Sequence, residues 1–152
     1  MRTPASIAGH PIHPMLVPIP IGLWIFSLVC DLMYFSGSAN PAWPTVALYT
    51  MGGGIVGALL AAVPGLIDLL SLPARPRPTA LAHMTINLTV VALYVGNLWM
   101  RLSSPENGNV PLWLSLIGIG LLVISGWLGG KMVYALGVAV DVPTDATAAP
   151  KR

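Results

Sequence analysis

Met15-Leu16-Val17-Pro18-Ile19-Pro20-Ile21-Gly22-Leu23-Trp24-Ile25-Phe26-Ser27-Leu28-Val29-Cys30-Asp31-Leu32-Met33-Tyr34-Phe35 carries one charge, Asp31, in its whole length. About 20 apolar residues suffice for a helix to cross the ~30 Å hydrocarbon core of a bilayer. The run is too long for the apolar region of a signal peptide, roughly 7–15 residues, so it reads as a retained span. Three more runs follow, at about 45–72, 80–102 and 112–138. The breaks between them carry turn and helix-breaking residues: Ser36-Gly37-Ser38-Ala39-Asn40-Pro41, then Leu72 to Pro78, then Ser103-Ser104-Pro105-Glu106-Asn107-Gly108. Thr79 is placed to cap the third helix.

Composition agrees. Of 152 residues, 55% are hydrophobic and 8% charged. Soluble domains carry about 25% charged residues, so a soluble enzyme, a nucleic-acid binder and a disordered chain are excluded. The expected fold is an all-α integral membrane four-helix bundle over residues 1–140, with a disordered cytoplasmic tail at 141–152. The lone Cys30 rules out an intrachain disulfide and a two-thiol redox motif.

Basic residues set the expected orientation. With four spans, Arg2, Arg75, Arg77, Lys151 and Arg152 share one side, with Lys131 near it, while Arg101 stands alone on the other. The positive-inside rule places both termini in the cytoplasm. Trp43, Trp99 and Trp113 then fall at the outer interface, where tryptophan is favoured. A weak repeat at an offset of 70 aligns His13 with His83, Leu23 with Leu93, Leu28 with Leu98 and Leu32 with Leu102. It also aligns Pro41 with Pro111 and Trp43 with Trp113. Two tandem helical hairpins of like orientation would result. Asp31 and Arg101 are also 70 apart and are expected to pair at the outer end.

All three histidines belong to the cytoplasmic layer. His10 and His13 lie in Gly9-His10-Pro11-Ile12-His13-Pro14, where each following proline restricts the backbone. His83 opens a polar stripe with Asn87, Tyr94, Asn97 and Arg101 on one face of the third span. Such a face turns toward protein, because unsatisfied polar groups facing lipid cost several kcal/mol. Asp68 ends the second span, beside the small-residue face Gly53, Gly57, Ala61 and Gly65. His10, His13 and His83, supported by Asp68 and Asn87, form a candidate site for a transition metal or, through two axial histidines, a b-type haem. The competing interpretation gives these groups only helix-to-helix hydrogen bonds. Gly126, Gly129 and Gly130 read as packing positions, and Lys131 with Tyr134 as the inner interface. No phosphate loop, nucleophile elbow or zinc-protease motif is present, and no catalytic residue is assigned.

The opening Gly9-His10-Pro11-Ile12-His13-Pro14-Met15-Leu16-Val17-Pro18-Ile19-Pro20-Ile21-Gly22 resembles that of a bacterial family of four-helix predicted membrane proteins, a domain of unknown function. Ala62-Val63-Pro64-Gly65-Leu66-Ile67-Asp68, His83-Met84-Thr85-Ile86-Asn87, Gly126-Trp127-Leu128-Gly129-Gly130 and Val133-Tyr134 extend the resemblance over about 9–140. Some relatives are fused to Rieske iron–sulfur domains, which implies membrane electron transfer in the bacterial inner membrane with a redox partner of that type. Members often carry an acidic residue after the Gly-Gly pair and a histidine a few positions on. Here those places hold Lys131 and Leu136. A cofactor-free structural or assembly subunit and a small transporter are the alternatives, and a homo-oligomer stays open. Against transport, Asp31, Asp68, Arg101 and Lys131 all lie near span ends.

Overall fold

The structure is a computed structural model that describes residues 2–38, 40–103 and 108–140. The chain starts with a two-stranded antiparallel hairpin, β1 (Ser6–Ile7) and β2 (His10–Pro11), paired Ser6 to Pro11 and Ile7 to His10. Its two-residue turn puts Ala8 at φ 50° and Gly9 at φ 80°, the double positive φ that suits a tight hairpin. Helices α1 (Ile12–Leu16) and α2 (Pro18–Phe35) follow as one span. The first helix thus begins three residues before the apolar run. Pro14 fits there, because first-turn N–H groups have no intrahelical acceptor. Pro18 and Pro20 divide α1 from α2 at Val17.

Helices α3 (Ala42–Ser71), α4 (Arg77–Ser103) and α5 (Val110–Tyr134) complete four apolar helices, each long enough to cross a membrane. At 1.5 Å per residue, the 30 residues of α3 span about 45 Å, so it tilts or projects from the core. Helix α4 begins at Arg77, which makes Thr79 a first-turn residue instead of the cap. Helix α5 stops at Tyr134, short of Val138, because Gly137 takes a left-handed φ of 64° and the chain turns back through Val138 N–H to the Met132 carbonyl. The tail expected at 141–152 lies outside the described residues.

Helices α2 and α3 form one hairpin and α4 and α5 a second, and the two pack through α3 against α4 and α2 against α5. The small-residue face of α3 allows the close approach. A Cβ on Gly53 would meet Leu23 at 3.3 Å, and one on Gly57 would meet Ile19 at 3.2 Å. The core holds Trp24, Met51, Ile55, Val90 and Tyr94. A second cluster, Leu69, Leu72, Ala80 and Val138, closes the end at which the first and last described residues lie. The outward faces are apolar: Phe26, Tyr49, Leu59, Val63, Val123 and Trp127 are all exposed. So much apolar surface on every helix suits lipid and not water. Trp99 and Trp113 are exposed at the opposite end, and Trp43 donates its indole N–H to Ser38 Oγ at 2.9 Å.

Candidate functional site

Three side-chain pairs join the hairpins, one above another along the bundle. At the end away from the termini, Arg101 grips Asp31 with both guanidinium arms, Nη1 to Oδ1 at 2.7 Å and Nη2 to Oδ2 at 2.6 Å. Asn97 braces the pair. Its Oδ1 accepts from Arg101 Nε at 2.9 Å, and its Nδ2 donates to the Pro111 carbonyl and Ser115 Oγ. In mid-bundle Trp24 and Tyr94 stack with centroids 4.3 Å apart and planes 1° from parallel. Trp24 Nε1 donates to the Met51 carbonyl at 3.2 Å, and Ser27 Oγ to that of Ala47 at 2.9 Å. These indole and hydroxyl groups are thereby satisfied inside the bundle.

At the other end His13 and His83 meet edge to face, centroids 6.1 Å apart and planes at 89°. His13 stands in α1 and His83 in the second turn of α4. His13 Nδ1 lies 2.8 Å from the Ala61 carbonyl of α3. A carbonyl only accepts, so Nδ1 carries the proton and Nε2 keeps its lone pair. Gly65 makes room for this ring, since a Cβ there would stand 2.8 Å from His13 Nδ1. His83 is held in the same way by α5, with Nδ1 donating to the Ser125 carbonyl at 2.9 Å. Its Nε2 accepts from Asn87 Nδ2 at 2.9 Å, and Ser125 Oγ donates to Asn87 Oδ1 at 3.0 Å.

Of the other expected site residues, Asn87 joins the pair through His83, whereas His10 and Asp68 are bonded to other partners. His10 is exposed in the β-hairpin, its Nδ1 turned to the Ala8 carbonyl at 3.1 Å. The tight turn at Ala8 and Gly9 aims it away from the bundle. Asp68 is buried, 8% exposed, and Oδ1 accepts the Ala5 N–H at 2.9 Å, so it ties the N-terminal segment down on α3. Among the described residues, no three of histidine, cysteine, aspartate and glutamate are grouped as they would need to be to hold a metal ion. Residue spacing along helices placed His10 and Asp68 in one layer, but depth alone does not set direction. Ser125 and the Trp24–Tyr94 stack escaped notice in the sequence. The signal for the stack was its spacing of 70, shared with His13 and His83.

The model of a predicted membrane protein family, DUF2231, matches residues 9–142. The chain belongs to this family. The match takes in the Gly-His-Pro opening, all four helices and both histidines of the pair. Neither a curated protein nor a solved structure matches the chain.

Proposed function

We propose that His13 and His83 together hold one redox cofactor, a transition-metal ion or a b-type haem, for one-electron transfer at the membrane surface. What supports this is that each imidazole gives its Nδ1 proton to a backbone carbonyl of its own hairpin. Metal-ligating histidines are oriented in that way, with Nε2 left to the metal. Two metal–nitrogen bonds of about 2.0–2.1 Å, plus a ring radius of about 1.2 Å at each end, give at most about 6.5 Å between centroids. The observed 6.1 Å is of that size. The two histidines would hold the iron of a haem, or a metal ion whose remaining ligands come from outside the chain. The hydrogen bond from Asn87 to His83 Nε2 favours a second reading, a structural or assembly subunit whose histidines hold helices together.

Replacing His13 or His83 by Ala is expected to remove bound metal or haem entirely while leaving a folded membrane protein. The check is metal analysis and visible absorption of protein purified gently from its own membrane. Retention of cofactor in either variant favours the structural reading.

We further propose that the bilayer is the bacterial inner membrane, with the histidine end cytoplasmic and any Rieske-type partner docking there. Arg2, Arg75 and Arg77 lie at that end, whereas Arg101 is sealed in its pair with Asp31. In a Cys30→Ala background, cysteine at Asn109 should react with an impermeant thiol reagent on intact cells, and cysteine at Ala74 should not. The reverse pattern would invert the topology.

A further inference from the structure

The three pairs that join the hairpins share one property: His13 and His83, Trp24 and Tyr94, and Asp31 and Arg101 are each 70 residues apart. Each of their helices also bonds its own partner helix in a repeated way. His13 reaches the Ala61 carbonyl and His83 that of Ser125, at 2.8 and 2.9 Å. Trp24 reaches the Met51 carbonyl and Tyr94 that of Ser115, at 3.2 and 3.4 Å. Ser27 reaches the Ala47 carbonyl and Asn97 that of Pro111, at 2.9 and 2.8 Å. In all three cases the acceptors are 64 residues apart. The glycines follow the same step: a Cβ on Gly54 would strike Trp24, one on Gly118 would strike Tyr94, and Gly65 and Gly129 face His13 and His83. Val46 with Val110, Leu48 with Leu112 and Ile55 with Ile119 are identical at that step.

The change from 70 to 64 means that six residues fewer run between equivalent positions of the second hairpin, and since α2 and α3 are separated by six residues just as α4 and α5 are, the difference falls in the helix ends. It also corrects the alignment of Pro41 with Pro111 and Trp43 with Trp113, since Pro111 instead matches Ala47 and Trp113 matches Tyr49. The equivalences run along the whole length of the bundle and form a pseudo-twofold axis that passes between the two imidazoles.

Departures from the symmetry are then readable. Asp31 and Arg101 have opposite charges, so each hairpin fits the other and not a copy of itself. The second departure is at the histidines. Asn87, four residues after His83, donates to its Nε2. The equivalent residue after His13 is Val17, whose N–H donates to the His13 carbonyl at 3.2 Å, so the same helical turn is present without a polar side chain. Ser125, which braces Asn87, is matched by Ala61. Among the described residues, nothing donates to His13 Nε2.

We infer that the hairpins are two copies of one unit that have diverged at the shared histidine pair, so that His13 presents an open Nε2 and His83 one closed by Asn87. His13 is therefore the first ligand for a transition-metal ion or haem iron, and Asn87 must yield before His83 joins. This rests on the cofactor reading for the identity of the ligand, but not for the difference between the two rings.

Diethyl pyrocarbonate tests that difference on the full-length protein in detergent. The Nε2 lone pair attacks one carbonyl and forms a C–N bond. The anhydride C–O bond breaks, ethyl carbonate leaves and decays to ethanol and carbon dioxide, and the Nδ1 proton passes to solvent. Rates are read for each histidine by peptide mass, with exposed His10 as internal reference. His13 should react roughly tenfold faster than His83, the factor expected for one hydrogen bond to be broken first. Asn87→Val should raise the His83 rate toward that of His13, and Val17→Asn should lower the His13 rate. Equal rates in the wild type, a faster His83, an unreactive His13, or no response to Asn87→Val would overturn the inference. Should the purified protein carry no cofactor, the cofactor reading fails and these rates stand. Should the rates be equal, the asymmetry fails and the cofactor reading stands.

Discussion

Arg101→Met is expected to destabilise the bundle by about 3–5 kcal/mol, the usual cost of breaking a buried ion pair from one side. Asp31 is 3% exposed, and both its oxygens are taken by the guanidinium. Without Arg101 the carboxylate stays within an apolar bundle in an apolar solvent, where charge is expensive. Asp31→Leu should cost a similar amount, with Arg101 now stranded. The double variant Asp31→Leu/Arg101→Met should recover most of the loss, because the desolvation of both charges disappears with them. Recovery should fall short of complete, since Asn97 Oδ1 would still lack the N–H it receives from Arg101. Unfolding in mixed micelles by increasing fractions of sodium dodecyl sulfate measures all three.

Trp24→Ala should cost about 3 kcal/mol, the low end for removing a buried aromatic. The side chain is 2% exposed, stacks on Tyr94 and donates to the Met51 carbonyl. The transfer component is small here, because lipid offers the unfolded helix a comparably apolar surrounding. The cavity and the lost stack make up most of the loss. Gly54 gives a way to test this cause. Gly54→Ala in the wild type sets a Cβ against the indole nitrogen of Trp24 and must displace it. In the Trp24→Ala background the same change enters vacated space and should be tolerated. A Gly54→Ala penalty that is equal in both backgrounds would contradict the packing described.

The four helices were legible because the bilayer imposes a crude rule, a long apolar run, that needs no partner to be recognised. The Asp31–Arg101 pair was legible for a related reason: two isolated opposite charges near the same end have few other ways to be satisfied. The polar face of α4 followed from 3.6-residue periodicity, and Tyr94 and Asn97 are indeed buried. What escaped depends on direction and register instead of depth. His10 lies only three residues before His13, yet the left-handed turn at Ala8 and Gly9 sends it outward. Asp68 sits at the expected end of α3 but is taken by the backbone of Ala5, a partner no side-chain pattern announces. Thr79 looked like a cap because it follows prolines, but Pro78 is accepted within the first turn of α4. The repeat lost its register at the facing helix ends, where the second hairpin is six residues shorter, which leaves the acceptor carbonyls and glycines of α3 and α5 at a spacing that one fixed offset does not find.

In the proposed function, His13 and His83, each held by its own hairpin, share one cofactor. The absorption spectrum of wild-type protein between about 400 and 560 nm, oxidised and then reduced, tests it most directly when taken with metal content on the same sample. A cofactor held by two imidazoles predicts one haem, or one transition-metal ion, per chain. Protein extracted gently from its own membrane with neither haem nor stoichiometric metal would contradict the account and leave the His13–His83 contact as helix packing alone.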